Sequence, residues 1–67
     1  MINLTVNGEA RQFPPPLSCA GLIATLGLAG KRVALERNGE IVPRGRHAEQ
    51  HLADGDNIEI VVAVGGG

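Results

Sequence analysis

Three glycines, Gly65-Gly66-Gly67, follow directly on an alternating run, Ile58-Glu59-Ile60-Val61-Val62-Ala63-Val64, and they are where this 67-residue chain concentrates its chemical potential. Glycine has no Cβ, so such a segment is free in φ and ψ and thin enough for a narrow cleft. Three extended residues reach about 10 Å, at roughly 3.3–3.6 Å each. The Gly67 carboxylate, with an ordinary pKa of about 3.3–3.7, is ionised at neutral pH and is a weak oxygen nucleophile. Its attack on the α-phosphate of ATP would give an acyl-adenylate, for which a partner enzyme must supply Mg²⁺ and cationic groups. Without a β-carbon at Gly67, the activated carbonyl stays open to a second nucleophile.

The other chemistry-bearing residues are better explained without a reaction. His47 and His51 stand at i and i+4, a helical ligand spacing, but no Glu follows the first His and no third ligand is evident, so solvent-facing histidines and no metal site are expected. Cys19 near a helix start invites a nucleophilic reading. Its position on an apolar stripe makes it a small core residue instead. Asp54 and Asp56 flank Gly55 in a turn, and turn chemistry accounts for them. The three glycines do not form a phosphate-cradling loop, which requires a helix behind it. A chain of this size also lacks the mass to enclose a small-molecule substrate. It is expected to be acted on by an enzyme, with no catalytic residues and no bound cofactor of its own.

Composition narrows the setting. The chain is long enough for one small domain, spanning 1–67 with a flexible tail at 65–67, in which a core barely offsets chain entropy. With no Trp or Tyr and one Phe, that core must be built from Ile, Leu, Val and Ala. A single cysteine excludes an internal disulfide and a cysteine-rich zinc site, and fits a reducing, cytoplasmic compartment. No segment has the pattern of an export signal or the length of a membrane span. The net charge of −1 and the lack of stacking aromatics argue against nucleic acid, and Arg32, Arg37, Arg44 and Arg46 read as a solvated face interspersed with acidic residues.

The positioning elements follow from periodicity. Ile2, Leu4 and Val6 alternate with polar residues as in a strand with one buried face. Asn7-Gly8 suits a type I′ turn into a second strand, Glu9 to Phe13, which Pro14-Pro15-Pro16 ends. Ser18 is a helix cap, with Leu17 and Leu22 placed as a hydrophobic staple. Cys19, Leu22, Ile23 and Leu26 form one apolar stripe, and Gly27 ends the helix. Gly21 within it costs about 1 kcal/mol relative to Ala, so either close packing requires it or the helix is weak there. Arg32 to Arg37, Asn38-Gly39 and Glu40-Ile41-Val42 make a second hairpin. Arg44 to Leu52, with Ala48 and Leu52 as its apolar points, is expected to hold a helical turn or short helix. Asp54-Gly55-Asp56 then turns into a last strand, Asn57 to Val64. One helix over a sheet is an α+β layering, and a right-handed crossover makes the first and last strands parallel central neighbours. This is a β-grasp, a mixed sheet of about five strands packed on one helix.

Asn38-Gly39-Glu40-Ile41-Val42-Pro43-Arg44, then Asp54-Gly55-Asp56, then Gly66-Gly67 together resemble the ThiS family, the sulfur carriers of thiamin (thiazole) biosynthesis, over essentially the whole chain. The resemblance implies a ubiquitin-like β-grasp, adenylation of Gly67 by a ThiF-like adenylyltransferase using ATP and Mg²⁺, and conversion to a thiocarboxylate. The sulfur would come from a donor such as a persulfide enzyme and pass to a ThiG-like thiazole synthase. Gly65 and Gly66 would thread into the partner active site, and the carrier would be a monomer when free. Two residues depart from the family pattern: Gly65 lengthens the glycine run by one, and Arg37 stands where an apolar strand residue is expected. If Ile58, Ile60, Val62 and Val64 face the helix, Val61 and Ala63 lie on the open face as a docking surface. The alternatives are a MoaD-like small subunit of molybdopterin synthase, whose relatives are somewhat longer, a ubiquitin-like modifier, and a β-grasp binding domain that carries nothing.

Overall fold

Alternation and turn chemistry set the first hairpin. In the computed structural model, which describes residues 1–63, β1 (Ile2–Val6) pairs antiparallel with β2 (Glu9–Phe13) in the register Ile2 opposite Phe13 and Val6 opposite Glu9. Asn7 and Gly8 both take positive φ, 50° and 84°, as a two-residue turn matched to strand twist requires. The same solution recurs in the second hairpin, where Asn38 and Gly39, at 51° and 86°, join β3 (Val33–Arg37) to β4 (Glu40–Val42).

Between the hairpins runs α1 (Cys19–Thr25), a helix too short to persist by propensity alone. Its termini are therefore closed by specific bonds. Ser18 Oγ accepts from Gly21 N–H at 2.9 Å, while Cys19 N–H and Ala20 N–H donate to the carbonyls of Gln50 and His47, both at 2.9 Å. At the other end Leu28 N–H donates to Ile23 O and Gly27 N–H to Ala24 O, the paired reversal of a Schellman motif with Gly27 at φ 77°. The cost of Gly21 is explained by packing. A Cβ there would lie 3.2 Å from Leu17 Cδ1 and 3.3 Å from Ser18 Oγ, against both the staple and the cap.

The expected helical turn after Pro43 is a short 3₁₀ helix, Arg44–Arg46, and the chain then continues through turns. Leu52 enters the core, whereas Ala48, the other apolar point of that segment, is exposed. Its carbonyls are the ones that receive the α1 amides, and Leu52 N–H returns to Leu17 O at 2.8 Å. Irregular backbone here stands in for a strand at the helix entrance.

The last strand, β5 (Asn57–Val62), closes the sheet in the order β2-β1-β5-β3-β4. It lies parallel to β1 and antiparallel to β3, so the expected central pairing of first and last strands is realised. One face carries the core: Leu4, Val6, Phe13, Leu35, Val42, Ile58 and Ile60 pack with Cys19, Leu22 and Ile23 of the helix, and Leu52. Each fully buried Leu or Ile contributes about 1.5–3 kcal/mol of transfer free energy.

Candidate functional site

Gly65, Gly66 and Gly67, together with Val64, lie outside the described residues, so the site is defined by what leads to them. Alternation along β5 sends Ile58 and Ile60 into the core and turns Val61 outward, 64% exposed. Ala63 is exposed as well. Both border a shallow depression of about 400 Å³ on the open sheet face, lined also by Arg32, Val33, Ala34 and Arg44. Ala34 sits directly across from Val61 in the β3–β5 register, so two small apolar side chains form its floor with arginines beside them. Neither Arg32 nor Arg44 makes an ion pair among the described residues.

Beside this surface, β5 is held from both flanks. On the β3 side Ala63 N–H donates to Arg32 O at 2.9 Å. On the β1 side the bond is made by a side chain: Ile60 N–H donates to Asn7 Oδ1 at 2.7 Å and Asn7 Nδ2–H donates to Ile60 O at 3.1 Å. Sequence reading assigned Asn7 only to its turn.

The leading end of β5 is built from charge. Asp56, 7% exposed, accepts from Arg37 Nε at 2.7 Å, from Asn38 Nδ2 at 3.0 Å and from Ala53 N–H at 2.8 Å. Burial is the largest single influence on its carboxyl and acts to raise the pKa, but the donors from Ala53, Asn38 and Arg37 together outweigh it and leave it below the ordinary value. Arg37, the departure from an apolar pattern, is thus the partner of a buried carboxylate. Asn38 also grips β5 itself, with Asn57 N–H donating to its Oδ1 at 2.8 Å. Asp54 ties the same turn to β1: its Oδ1 accepts from Asn3 N–H at 2.6 Å and from Asn3 Nδ2 at 3.0 Å, and the Asn3 backbone donor is the main cause of its lowered pKa. Turn chemistry places these aspartates, but their work is to anchor three strands. The signal for it was the unpaired look of Arg37 beside an Asn-Gly turn, with an Asp just ahead of the last strand.

The remaining candidates are structural. Cys19 is fully buried, and burial pushes its thiol pKa up, which disfavours the thiolate a nucleophile needs. The expectation of two solvent-facing histidines is corrected at one of them. His51 is exposed, but His47 is buried, its Nε2–H donating to Val42 O at 2.9 Å. The correction follows from the backbone: 3₁₀ and turn geometry after Pro43 places residue 47 under β4, where an α-helix would have aligned it with residue 51. Among the described residues no three His, Cys, Asp or Glu side chains are grouped as metal ligands, and no helix is long and apolar enough to cross a membrane.

A mixed five-stranded sheet with parallel central strands from the two ends of the fold, covered on one face by a single helix, defines a ubiquitin-like β-grasp. Within that class the chain belongs to the ThiS family, whose pattern it matches over residues 4–67. The crystal structure of the thiamine biosynthesis protein ThiS from Geobacter metallireducens superposes with a TM-score of 0.82 at 33% identity, covering 98% of this chain and 100% of that one. The sulfur carrier protein ThiS of Bacillus subtilis is 50% identical over 46 residues, covering 69% of this chain and 70% of that protein. A thiazole synthase of Paramagnetospirillum magneticum is 42% identical over 66 residues, and one of Magnetococcus marinus is 36% identical over 66 residues. Each of those alignments covers 98% of this chain but 20% of the longer protein, so the chain spans about a fifth of the synthases it matches.

Proposed function

We infer that this chain is a sulfur carrier of thiamin biosynthesis, itself without catalytic residues, whose Gly67 carboxylate is the covalent site. The carboxylate attacks the α-phosphate of ATP in a ThiF-like adenylyltransferase that supplies Mg²⁺, and pyrophosphate leaves. A persulfide sulfur then attacks the acyl carbonyl and expels AMP, and a thiol reductant frees the donor, leaving a thiocarboxylate. That sulfur passes to a thiazole synthase of the ThiG type. The observation that carries this reading is the family match through residue 67, which includes all three glycines. The matched regions of two thiazole synthases support the choice of acceptor.

The surface bearing Val61 and Ala63 is the docking face for the adenylating partner in this reading. Its occupant is an apolar side chain ringed by carboxylates, because the floor is apolar and Arg32 and Arg44 border it. Such a contact is transient, since a carrier must leave each enzyme it serves.

Intact-mass measurement after incubation with ATP, an adenylating partner and a sulfur donor tests the reading. Exchange of one oxygen for sulfur at Gly67 is expected, and deletion of Gly67 should abolish it with the fold preserved. An unchanged mass with a partner shown to be active on another carrier would overturn it.

A further inference from the structure

The parallel ladder between β1 and β5 climbs by regular rungs: Thr5 N–H donates to Asp56 O at 3.0 Å and Asn7 N–H to Ile58 O at 2.9 Å. In a continuing parallel pair the next rung would join Ile60 N–H to the main-chain carbonyl of residue 7, and Ile60 O to the N–H of residue 9. Main chain cannot supply it, because Asn7 and Gly8 turn through positive φ and carry the chain away into β2. The Asn7 side chain takes both places. Its Oδ1 accepts from Ile60 N–H at 2.7 Å and its Nδ2–H donates to Ile60 O at 3.1 Å, so one side-chain amide substitutes for a peptide unit of the absent strand.

This rung stands at a particular place. Ile60 is the third residue from the end of the described β5 segment that reaches Val62, and on the β1 flank it is the last bonded residue of β5 among the described residues. Beyond it the strand is held from the β3 flank by Ala63 N–H to Arg32 O. A strand tied on one flank can swing in the sheet plane, whereas one tied on both has a fixed heading.

We propose that Asn7 is a positioning residue for the carrier reaction, which sets the direction in which β5 delivers the glycine segment to the adenylating site. The role rests on the function inferred above. It acts through Ile60 and touches no reacting atom. Loss of the rung lowers the fraction of molecules with a productive heading, and apparent affinity falls by that fraction while chemistry in the bound complex is unchanged.

The second Asn-Gly turn provides a matched control. Asn38 has nearly the same φ and also bonds β5 through its side chain, but at Asn57, the opposite end of the strand. Asn7→Gly and Asn38→Gly each keep a residue able to adopt positive φ and each remove a clamp. Pyrophosphate release with ATP and an adenylating enzyme of the ThiF type gives kcat and KM for each chain, at a temperature where both are folded. Amide hydrogen exchange reads the clamp itself.

For Asn7→Gly the Ile60 amide should exchange about tenfold faster. KM for the carrier should rise about three- to tenfold with kcat changed less than about twofold. For Asn38→Gly the Asn57 amide should exchange faster, with KM at the wild-type value. Faster Ile60 exchange with an unchanged KM, or an equal rise in KM for both variants, would reduce Asn7 to a structural residue. An Ile60 amide that exchanges as in wild type would remove the clamp. A wild-type chain that is never adenylated would instead bring down the functional reading and this role with it.

Discussion

The two ends of β5 are secured by opposite means. At the leading end Asp56 is buried and held by Arg37, Asn38 and the Ala53 amide, and Asp54 ties the turn to Asn3. At the far end the bonds are neutral, the Asn7 amide on one flank and the backbone ladder to β3 on the other, and the neighbouring residues Val61 and Ala63 are exposed. The difference separates two tasks. Charge in a nearly buried site fixes where the strand begins and resists rearrangement. Neutral bonds fix a heading without adding a buried ion pair beside the exposed face that Val61 and Ala63 present.

The largest test of that contrast is Asp56→Ala. It removes three acceptor contacts and leaves the Arg37 guanidinium without its carboxylate, so a loss of about 3 kcal/mol is expected, read as a lower urea midpoint at unchanged slope. A loss below about 1 kcal/mol would mean that the leading end is no more tightly fixed than the far one.

Acid should act on the same end. The Asp54 and Asp56 pKa values are lowered on folding, below the ordinary aspartate value of about 3.9. Their stabilising effect is therefore full above that value and is lost as pH falls through the lower folded values. Thermal midpoints taken between about pH 5 and pH 2 should fall less steeply in Asp56→Asn than in wild type. Parallel slopes would show that Asp56 is not an acid-sensitive anchor.

Next in size are the two asparagine clamps. Asn38→Gly removes bonds to both Asp56 and Asn57 and should cost about 1–2 kcal/mol, with Asn7→Gly at about 1 kcal/mol. The smallest expected effect on stability belongs to the double change Val61→Asp and Ala63→Asp, within about 0.5 kcal/mol because both positions are exposed. That variant should nonetheless lose most of its thiocarboxylate formation. Normal formation would remove the docking role from this face and leave the far end of β5 with a heading but no surface.

Legibility in the sequence divided along the same line. Local signals were sufficient for the elements: Asn-Gly pairs specified two hairpins, Ser18 and Gly27 bounded the helix, and alternation assigned the faces of β5, including the outward turn of Val61. The long-range polar contacts were not legible. Arg37 and Asp56 are 19 residues apart, and although Arg37 stands out as a charge at an apolar strand position, only the sheet, by bringing β3 beside β5, makes Asp56 its partner. Asn7 was hidden differently, since its turn role fully explained it and its side chain acts on a residue 53 positions away. The burial of His47 is not legible because an i, i+4 spacing is informative only where the backbone is α-helical, and a 3₁₀ turn after Pro43 removes that premise.

Placing the first and last strands side by side at the centre has a consequence for biosynthesis. Until β5 leaves the ribosome, β1 has only β2 for company and β3 only β4, two isolated hairpins of marginal stability with the helix unable to seal against either. A nascent chain interrupted before residue 57 therefore releases no folded sheet, and is left to proteolysis. A β-grasp that has formed is therefore one whose synthesis has already passed through β5, the strand against which both hairpins close.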